Sequence, residues 1–155
     1  MPLLQHPKQQ TGATLIEVLI AVVVLSIGLL GLAGLQVTSV QSNYSAYQRS
    51  QATVLANDIA ERMRANRTAA LAGAYDDTTM PASSSSNAVT GNQAAKDKAQ
   101  WRNNLALTLP SGTGQVTRNN DLVTITIRWN DNRGRISQSN AAAAADTDFI
   151  YRTEI

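Results

Sequence analysis

The stretch that decides the fold lies near the N-terminus and reads Gly12-Ala-Thr-Leu-Ile-Glu17-Val-Leu-Ile-Ala-Val-Val-Val-Leu-Ser-Ile-Gly-Leu-Leu-Gly-Leu-Ala-Gly-Leu35. Residues 18–48 contain no charge, and residues 18–35 are almost entirely apolar, long enough to cross a bilayer as a helix. Glu17 stands at the edge of this run. A charge costs about 2.5–3.5 kcal/mol at the centre of a membrane helix and less near its ends, so Glu17 predicts a functional site.

Gly12 followed by Ala13-Thr-Leu-Ile-Glu17, after a leader with one lysine, resembles the class III signal of type IV pilins. The resemblance implies that prepilin peptidase cleaves between Gly12 and Ala13, and that the new amine of Ala13 is methylated. The family more often has Phe or Met at this first mature position. Glu17, fifth after the cut, would form the assembly salt bridge with that amine. Within the apolar run the predicted membrane-anchor residues are Val18, Leu25, Gly28 and Leu35.

The apolar continuation looks most like the minor pilin PilV and its relative, minor pseudopilin I of type II secretion. This implies a single-pass inner-membrane protein with a periplasmic C-terminal head, which later joins a cell-surface pilus. The implied partners are prepilin peptidase, the pilus assembly platform, the major pilin and other minor pilins, with which it would prime growth at the pilus tip. The motif does not separate the pilus from the secretion machine.

Two interpretations lie outside the pilin family. One is a secretory signal peptide cut near Gly31-Leu-Ala33, which offers a small-x-small site. The other is a simple signal anchor that carries a periplasmic binding domain. Neither gives Glu17 a role, although its cost beside an apolar run needs one.

The composition excludes several classes of site. The 155 residues include no cysteine, and the single histidine, His6, lies in the leader. Cys/His nucleophiles, Ser-His-Asp triads and thiolate or imidazole zinc sites are therefore excluded from the mature chain, and we predict no catalytic residue and no cofactor. Removal of the leader takes Lys8 and leaves 12 basic against 11 acidic side chains. A net charge of +1 is too small to attract nucleic acid, so no such contact is predicted.

A calcium site is the one metal hypothesis that the sequence raises. Asp131, with Asp121 or Asp146 nearby, offers oxygen ligands. Asn, Asp and Gly are, however, the ordinary residues of turns, and Arg133 sits inside this loop. The same holds for the Asp76-Asp77 pair. We therefore predict no metal site.

Helical character is expected to continue past the membrane run. Steps of three, four or their sums predict one apolar face made of Val37, Val40, Tyr44, Tyr47, Val54, Leu55, Ile59 and Met63. A helix from Thr14 to about Asn66 would be near 80 Å long. The predicted segments are a leader (1–12), a filament-core half of the helix (13–36), an amphipathic half (37–66), a flexible αβ-loop (67–92) and a head (93–155).

The head sequence predicts one short helix and three antiparallel strands. Asn92 is placed to cap a helix that reaches about Ala106. Residues 115–118 and 122–129 read as a hairpin, and residues 148–155 as a last strand. The residues predicted to face the interior are Val123, Ile125, Ile127, Trp129, Phe149 and Tyr151. Packing this sheet on the apolar stripe of the long helix predicts an α+β, pilin-like lollipop fold.

Overall fold

A computed structural model describes residues 12, 14–132 and 146–155. Along the chain the elements are α1 Leu15–Ala65, α2 Arg67–Leu71, α3 Gln93–Thr108, β1 Thr113–Asn119, β2 Leu122–Asn130 and β3 Asp146–Glu154. They divide into two compact units, one ending at Ser39 and one running from Val40 to Ile155. The predicted α+β class is confirmed: a long N-terminal helix precedes a small antiparallel sheet.

Helix α1 has 51 residues and follows the bounds expected from the sequence to within one residue at each end. From Val40 to Ala65, within the second unit, one face of α1 is buried. This face consists of Gln48, Ala52, Leu55, Ala56, Ile59, Ala60 and Met63. Three of these are alanines, whose small side chains allow neighbouring elements to approach the helix axis closely. Asp58 and Arg62, one turn apart on α1, form an ion pair with 3.0 Å between Oδ1 and Nε.

The prediction of one apolar face along α1 was wrong. Leu55 is 9% exposed, but Val40, Tyr47 and Val54 are 67%, 59% and 60% exposed. Successive residues of an α-helix point about 100° apart, so Val54 and Leu55 cannot share a face. The helix therefore carries two apolar stripes, of which only one is buried by the head.

The sheet has the order β1-β2-β3 with antiparallel neighbours. Asn119 pairs with Leu122, which leaves Asn120 and Asp121 as the turn of the predicted hairpin. Along β2 every second side chain is buried, and these are the predicted residues Val123, Ile125, Ile127 and Trp129. Phe149 and Tyr151 of β3 pack against the same core, also as predicted.

Helix α3 supplies the centre of the head core. The Asn92 side chain caps it as predicted, because Asn92 Oδ1 accepts a hydrogen bond from the Ala95 N–H at 2.9 Å. Trp101 and Leu105 are fully buried, and the Trp101 Nε1–H donates to the Leu55 carbonyl of α1 at 2.9 Å. After α3 the chain turns into β1, which packs closely against α3 at Gly114. A Cβ added at Gly114 would lie 2.3 Å from Trp101 Cη2, so any larger residue at this position would force its neighbours to shift.

The segment between α2 and α3 is attached to the head at Asp77. The Asp77 N–H donates to the Val116 carbonyl at 2.8 Å, and the Val116 N–H donates back to Asp77 Oδ2 at 3.1 Å. Asp77 Oδ1 lies 3.3 Å from Lys98 Nζ and 2.6 Å from Arg102 Nη2. Asp77 therefore extends the hydrogen bonding of the sheet beyond β1, a role that was not predicted from the sequence. The flexibility of residues 67–92 stays a prediction.

A second polar centre of the head surrounds the buried carboxylate of Asp97. Tyr75, which is fully buried, donates its hydroxyl to Asp97 Oδ2 at 2.6 Å. Gln93 and Arg62 donate to Asp97 Oδ1 at 2.8 and 3.4 Å. Burial, together with the bond to Asp97, raises the pKa of Tyr75 to about 12. The hydroxyl therefore stays protonated and keeps its bond throughout the neutral range.

Candidate processing and assembly site

Helix α1 begins with a side-chain cap at Thr14. The Thr14 carbonyl accepts hydrogen bonds from the N–H groups of Glu17 and Val18 at 3.1 and 3.3 Å. The Thr14 hydroxyl oxygen also lies 3.4 Å from the Glu17 nitrogen. Threonine is a favourable N-cap because its oxygen satisfies one of the free N–H groups of the first turn. This cap was not predicted from the sequence, although Thr-x-x-Glu at residues 14–17 is the signature of a capping box.

Glu17 lies in the first turn of α1, and its side chain is exposed. A negative charge is favourable there because the helix dipole presents partial positive charge at its N-terminus. Among residues 12, 14–132 and 146–155, no ion pair or side-chain hydrogen bond involves the Glu17 carboxylate. Within this part of the chain the carboxylate is therefore available to a group from outside.

Of the two residues at the predicted cleavage site, the structure describes only Gly12. Gly12 is exposed, and an added Cβ would meet nothing within 4 Å. Ala13 lies outside the described residues. Cleavage between Gly12 and Ala13, methylation of Ala13 and the pairing of its amine with Glu17 therefore stay predictions.

The predicted anchor is wholly exposed in the isolated chain. Val18, Leu25 and Leu35 are 53%, 62% and 70% exposed. Around Gly28 an added Cβ would find open space. By length and composition α1 is apolar enough to cross a membrane. Exposed hydrocarbon of this extent is unfavourable in water, so a bilayer or other protein must cover it.

The residues of the calcium hypothesis do not form a ligand set. Asp131 is buried, and its Oδ2 accepts a hydrogen bond from the Ser45 hydroxyl at 2.8 Å. Asp121 lies in the hairpin turn, and Asp146 begins β3 opposite Asn130. Within residues 12, 14–132 and 146–155, no three His, Cys, Asp or Glu side chains are grouped so that they can hold a metal ion.

Two family models match the chain, and their ranges follow one another. The prokaryotic N-terminal methylation motif matches residues 7–33, which contain Gly12, Ala13 and Glu17. The model described as type IV pilin Tt1218-like matches residues 34–102, from the end of the apolar run into α3.

Beyond these models, no curated protein and no solved structure is significantly similar to the chain. Pilins are structural subunits and not enzymes. The matches together run from residue 7 to residue 102. With the long helix and the antiparallel sheet, they show that this chain is a type IV pilin-like protein, whose prepilin methylation motif and apolar N-terminal helix fit a membrane-anchored pilin.

Proposed function

We propose that the chain is a minor pilin of the PilV type, which primes pilus assembly together with other minor pilins and sits at the pilus tip. It would be held in the inner membrane with its head in the periplasm before it joins the major pilin in the filament. The observation that carries the proposal is the exposed Glu17 carboxylate, which has no partner within the described residues and lies in the first turn of α1, at the start of its uncovered apolar run. The PilV assignment itself is supported by the sequence of residues 12–36.

The chemistry of Glu17 follows from its position. Cleavage after Gly12 would create a positive amine at Ala13, four residues before Glu17. In water such a pair contributes little, because both charges are well solvated. In an apolar filament core, an unpaired member costs several kcal/mol, so a subunit that offers the matching charge is favoured. The pair would therefore select subunits and set their axial register, whether it forms within one chain or between neighbours.

The N-terminus of the mature protein tests the processing step directly. The measurement is the intact mass and N-terminal sequence of the protein purified from its native membrane. We expect a chain that begins at Ala13, with or without one methyl group. A chain that begins at Met1 would instead support a signal anchor, and one that begins near Gly34 would support a secreted protein.

A Glu17→Gln variant tests the assembly salt bridge. It keeps the size of the side chain and removes the charge, so the protein should still be cleaved and inserted while piliation falls. Glu61→Gln is the matched control, because Glu61 is an exposed glutamate of the same helix whose ion-pair partner, Arg64, belongs to its own chain. Normal piliation with Glu17→Gln would refute the proposed role of Glu17.

A deletion of the gene separates the pilus from the secretion machine. For a minor pilin we expect a loss of surface pili and of twitching motility, both restored by the wild-type gene. Normal piliation combined with a loss of protein secretion would identify a type II pseudopilin. A periplasmic binding domain on a signal anchor would leave both processes intact.

A further inference from the structure

The last strand of the sheet, β3, is paired on one side only. It lies at the end of the order β1-β2-β3 and pairs with β2 along its whole length. Among the residues that the structure describes, no backbone hydrogen bond is made on the side of β3 away from β2, which we call the free edge. The other edge of the sheet differs, because Asp77 hydrogen-bonds to Val116 of β1 there. An edge with unpaired N–H and C=O groups is a template for another strand.

The alternation of an antiparallel ladder identifies the groups on the free edge. The Ile155 N–H donates to the Asp121 carbonyl at 3.3 Å, on the side of β2. Successive residues turn their N–H and C=O groups to opposite edges, so every second residue before Ile155 is paired with β2. The residues between them turn these groups to the free edge and also carry the exposed side chains of the strand: Asp146, Asp148, Ile150, Arg152 and Glu154.

The sequence of β3 is nearly symmetric about Ile150. Two copies of β3 that lie antiparallel, with Ile150 opposite Ile150, would therefore be matched along most of their length. The matched pairs on either side of Ile150 are Phe149 with Tyr151, Asp148 with Arg152, and Thr147 with Thr153. Aromatic pairs, opposite charges and threonine pairs are the cross-strand pairs that stabilise antiparallel sheets. The strand is thus complementary to itself.

The charges at the free edge favour the same pairing. Arg152 is exposed, and within the described part of the chain its side chain makes no ion pair or hydrogen bond. Asp148 accepts hydrogen bonds from Arg128 of β2 at 2.7 and 2.9 Å. A carboxylate has about four acceptor sites and can bind a second arginine. Arg152 of a second copy would therefore bind Asp148 from the free edge while Arg128 holds it from β2.

The register centred on Ile150 also satisfies the main chain. Ile150 turns its N–H and C=O to the free edge, so each copy can donate to and accept from the other at this position. A shift by one residue would set groups of the free edge against groups already paired with β2. A shift by two residues would set Ile150 opposite Asp148 or Arg152. The one unfavourable pair, Asp146 with Glu154, is exposed at the two ends, where water and salt screen it.

We propose that β3 pairs antiparallel with β3 of a second copy of this chain, with Ile150 opposite Ile150. The occupant of the free edge is a second copy because a two-fold contact needs a surface that is complementary to itself, and this strand has one. The inference goes beyond the proposed function and does not depend on it, since the contact uses only the sheet of the head.

The pairing determines the relative direction of the two copies. Trp129, which lies opposite Thr147, donates its Nε1–H to Gln48 at 2.9 Å, and Arg64 donates to Thr153. From Gln48 to Arg64, helix α1 therefore runs along the sheet in the direction of β3. Because the two β3 strands are antiparallel, the ends of α1 that lead to the two anchors point in opposite directions. The two copies therefore belong to two membranes or filaments that face each other.

Disulfide trapping of the purified, detergent-solubilised full chain tests the contact. The natural chain has no cysteine, so each variant carries a single thiol. Cα atoms of a hydrogen-bonded antiparallel pair are about 5.5 Å apart, within the range that a disulfide spans. Under mild oxidation, Ile150→Cys should give at least about tenfold more linked dimer than Thr117→Cys, its control on the exposed part of β1. Equal yields would overturn the proposal.

Two further comparisons test the register and the charges. Asp148→Cys chains should link to Arg152→Cys chains at least about fivefold more than to themselves, and a preference for self-linking would overturn the register. Adding Arg152→Glu to Ile150→Cys should lower the dimer yield at least about fivefold. Lys96→Glu, the same change at an exposed position of α3, should leave the yield unchanged. Equal effects of the two substitutions would contradict the Asp148–Arg152 pair, and all variants should melt like the wild type because these side chains are exposed.

Vesicles test the direction of the two copies. Ile150→Cys chains with two different epitope tags are reconstituted in separate vesicles, which are then mixed and oxidised. We expect dimers that carry both tags. Such dimers only from vesicles that hold both proteins would overturn the facing arrangement. A β3 dimer from a chain whose deletion leaves piliation intact would support this inference and overturn the proposed function, whereas loss of pili on deletion without a β3 dimer would do the reverse.

Discussion

Replacing Gly114 by alanine should strongly destabilise the head, although the change adds only one methyl group. The added Cβ would lie 2.3 Å from Trp101 Cη2 and 2.7 Å from Leu105 Cδ1, both far below van der Waals contact. The backbone is not the problem, because among the described glycines only Gly73 and Gly91 have a positive φ. The whole effect is therefore steric and depends on whether Trp101 can move.

Trp101 has little room to move. It is fully buried, and its Nε1–H is bonded to the Leu55 carbonyl at 2.9 Å. Overpacking a core costs about 1–3 kcal/mol, and the loss of one hydrogen bond adds about 1 kcal/mol. The expected destabilisation is thus about 2–4 kcal/mol. For a unit of this size, that corresponds to a fall in melting temperature of roughly 8–16 °C.

The assay is thermal unfolding of the detergent-solubilised chain, followed by the fluorescence of Trp101 and Trp129, which both lie in the head core. Gly34→Ala is the matched control, because its Cβ meets nothing within 4 Å and alanine is the better helix former. We expect its head to melt like the wild type. A Gly114→Ala protein that also melts within about 2 °C of the wild type, less than 1 kcal/mol for a unit of this size, would refute the close packing of β1 on α3.

The remaining predictions concern the polar contacts of the head. The pKa of Tyr75 is raised to about 12 in the folded chain. The stability linked to this shift, about 2–3 kcal/mol, should therefore be complete below pH ~10 and be lost as the pH rises towards 12. Tyr75→Phe should abolish this alkaline fall in denaturant titrations. Asp77→Ala should lower the free energy of unfolding by about 1–3 kcal/mol, because it removes the carboxylate that Lys98, Arg102 and the Val116 N–H contact. It should also increase protease cleavage within residues 67–92, and a cleavage rate equal to that of the wild type would contradict this. The bond from Arg128 lowers the pKa of Asp148, so the contribution of this exposed pair should be present above pH ~4 and be lost at lower pH; Asp148→Asn should remove that acid dependence while changing stability at pH 7 by less than about 1 kcal/mol.

The features that were predicted correctly from the sequence are those that a local pattern determines. The alternation of Val123, Ile125, Ile127 and Trp129 defines one face of a strand without any knowledge of its neighbours. The Asn92 cap likewise depends only on the first turn of the helix that follows. These features could be read directly from the chain because each is decided within a few residues.

The errors and omissions arose where partners are distant in sequence. Val54 and Leu55 are both apolar, and only the position of the sheet and α3 decides which of the two is covered. Asp77 belongs to an Asp-Asp turn sequence, yet its partner Val116 lies 39 residues further on. No local periodicity identifies such a contact. The exposed apolar stripe of α1, which includes Val40, Tyr47 and Val54, could be recognised only once the buried face of α1 was known.

At the proposed assembly site, the sequence identified the charged residue, Glu17, but not the residues that surround it. Glu17 is conspicuous in the sequence because its carboxylate borders residues 18–35, which are almost entirely apolar. The structure adds the Thr14 cap, which fixes where α1 begins, and the lack of a partner for Glu17 among the described residues. If Glu17 pairs with the amine of Ala13 as proposed, that partner exists only after cleavage, and Ala13 lies outside the described residues.

The incomplete surfaces of the described chain are concentrated on α1, and this has a consequence for mutations. In the head, the polar groups of the three largest buried side chains are paired: Trp101 with Leu55, Trp129 with Gln48, and Tyr75 with Asp97. On α1 the Glu17 carboxylate has no partner among the described residues, and both the anchor and the stripe of Val40, Tyr47 and Val54 are exposed. Changes in the head core should therefore lower the stability of the subunit. Changes on the exposed faces of α1 should leave the folded subunit intact and, if the chain assembles as proposed, lower its assembly, because no contact with the described head covers those faces.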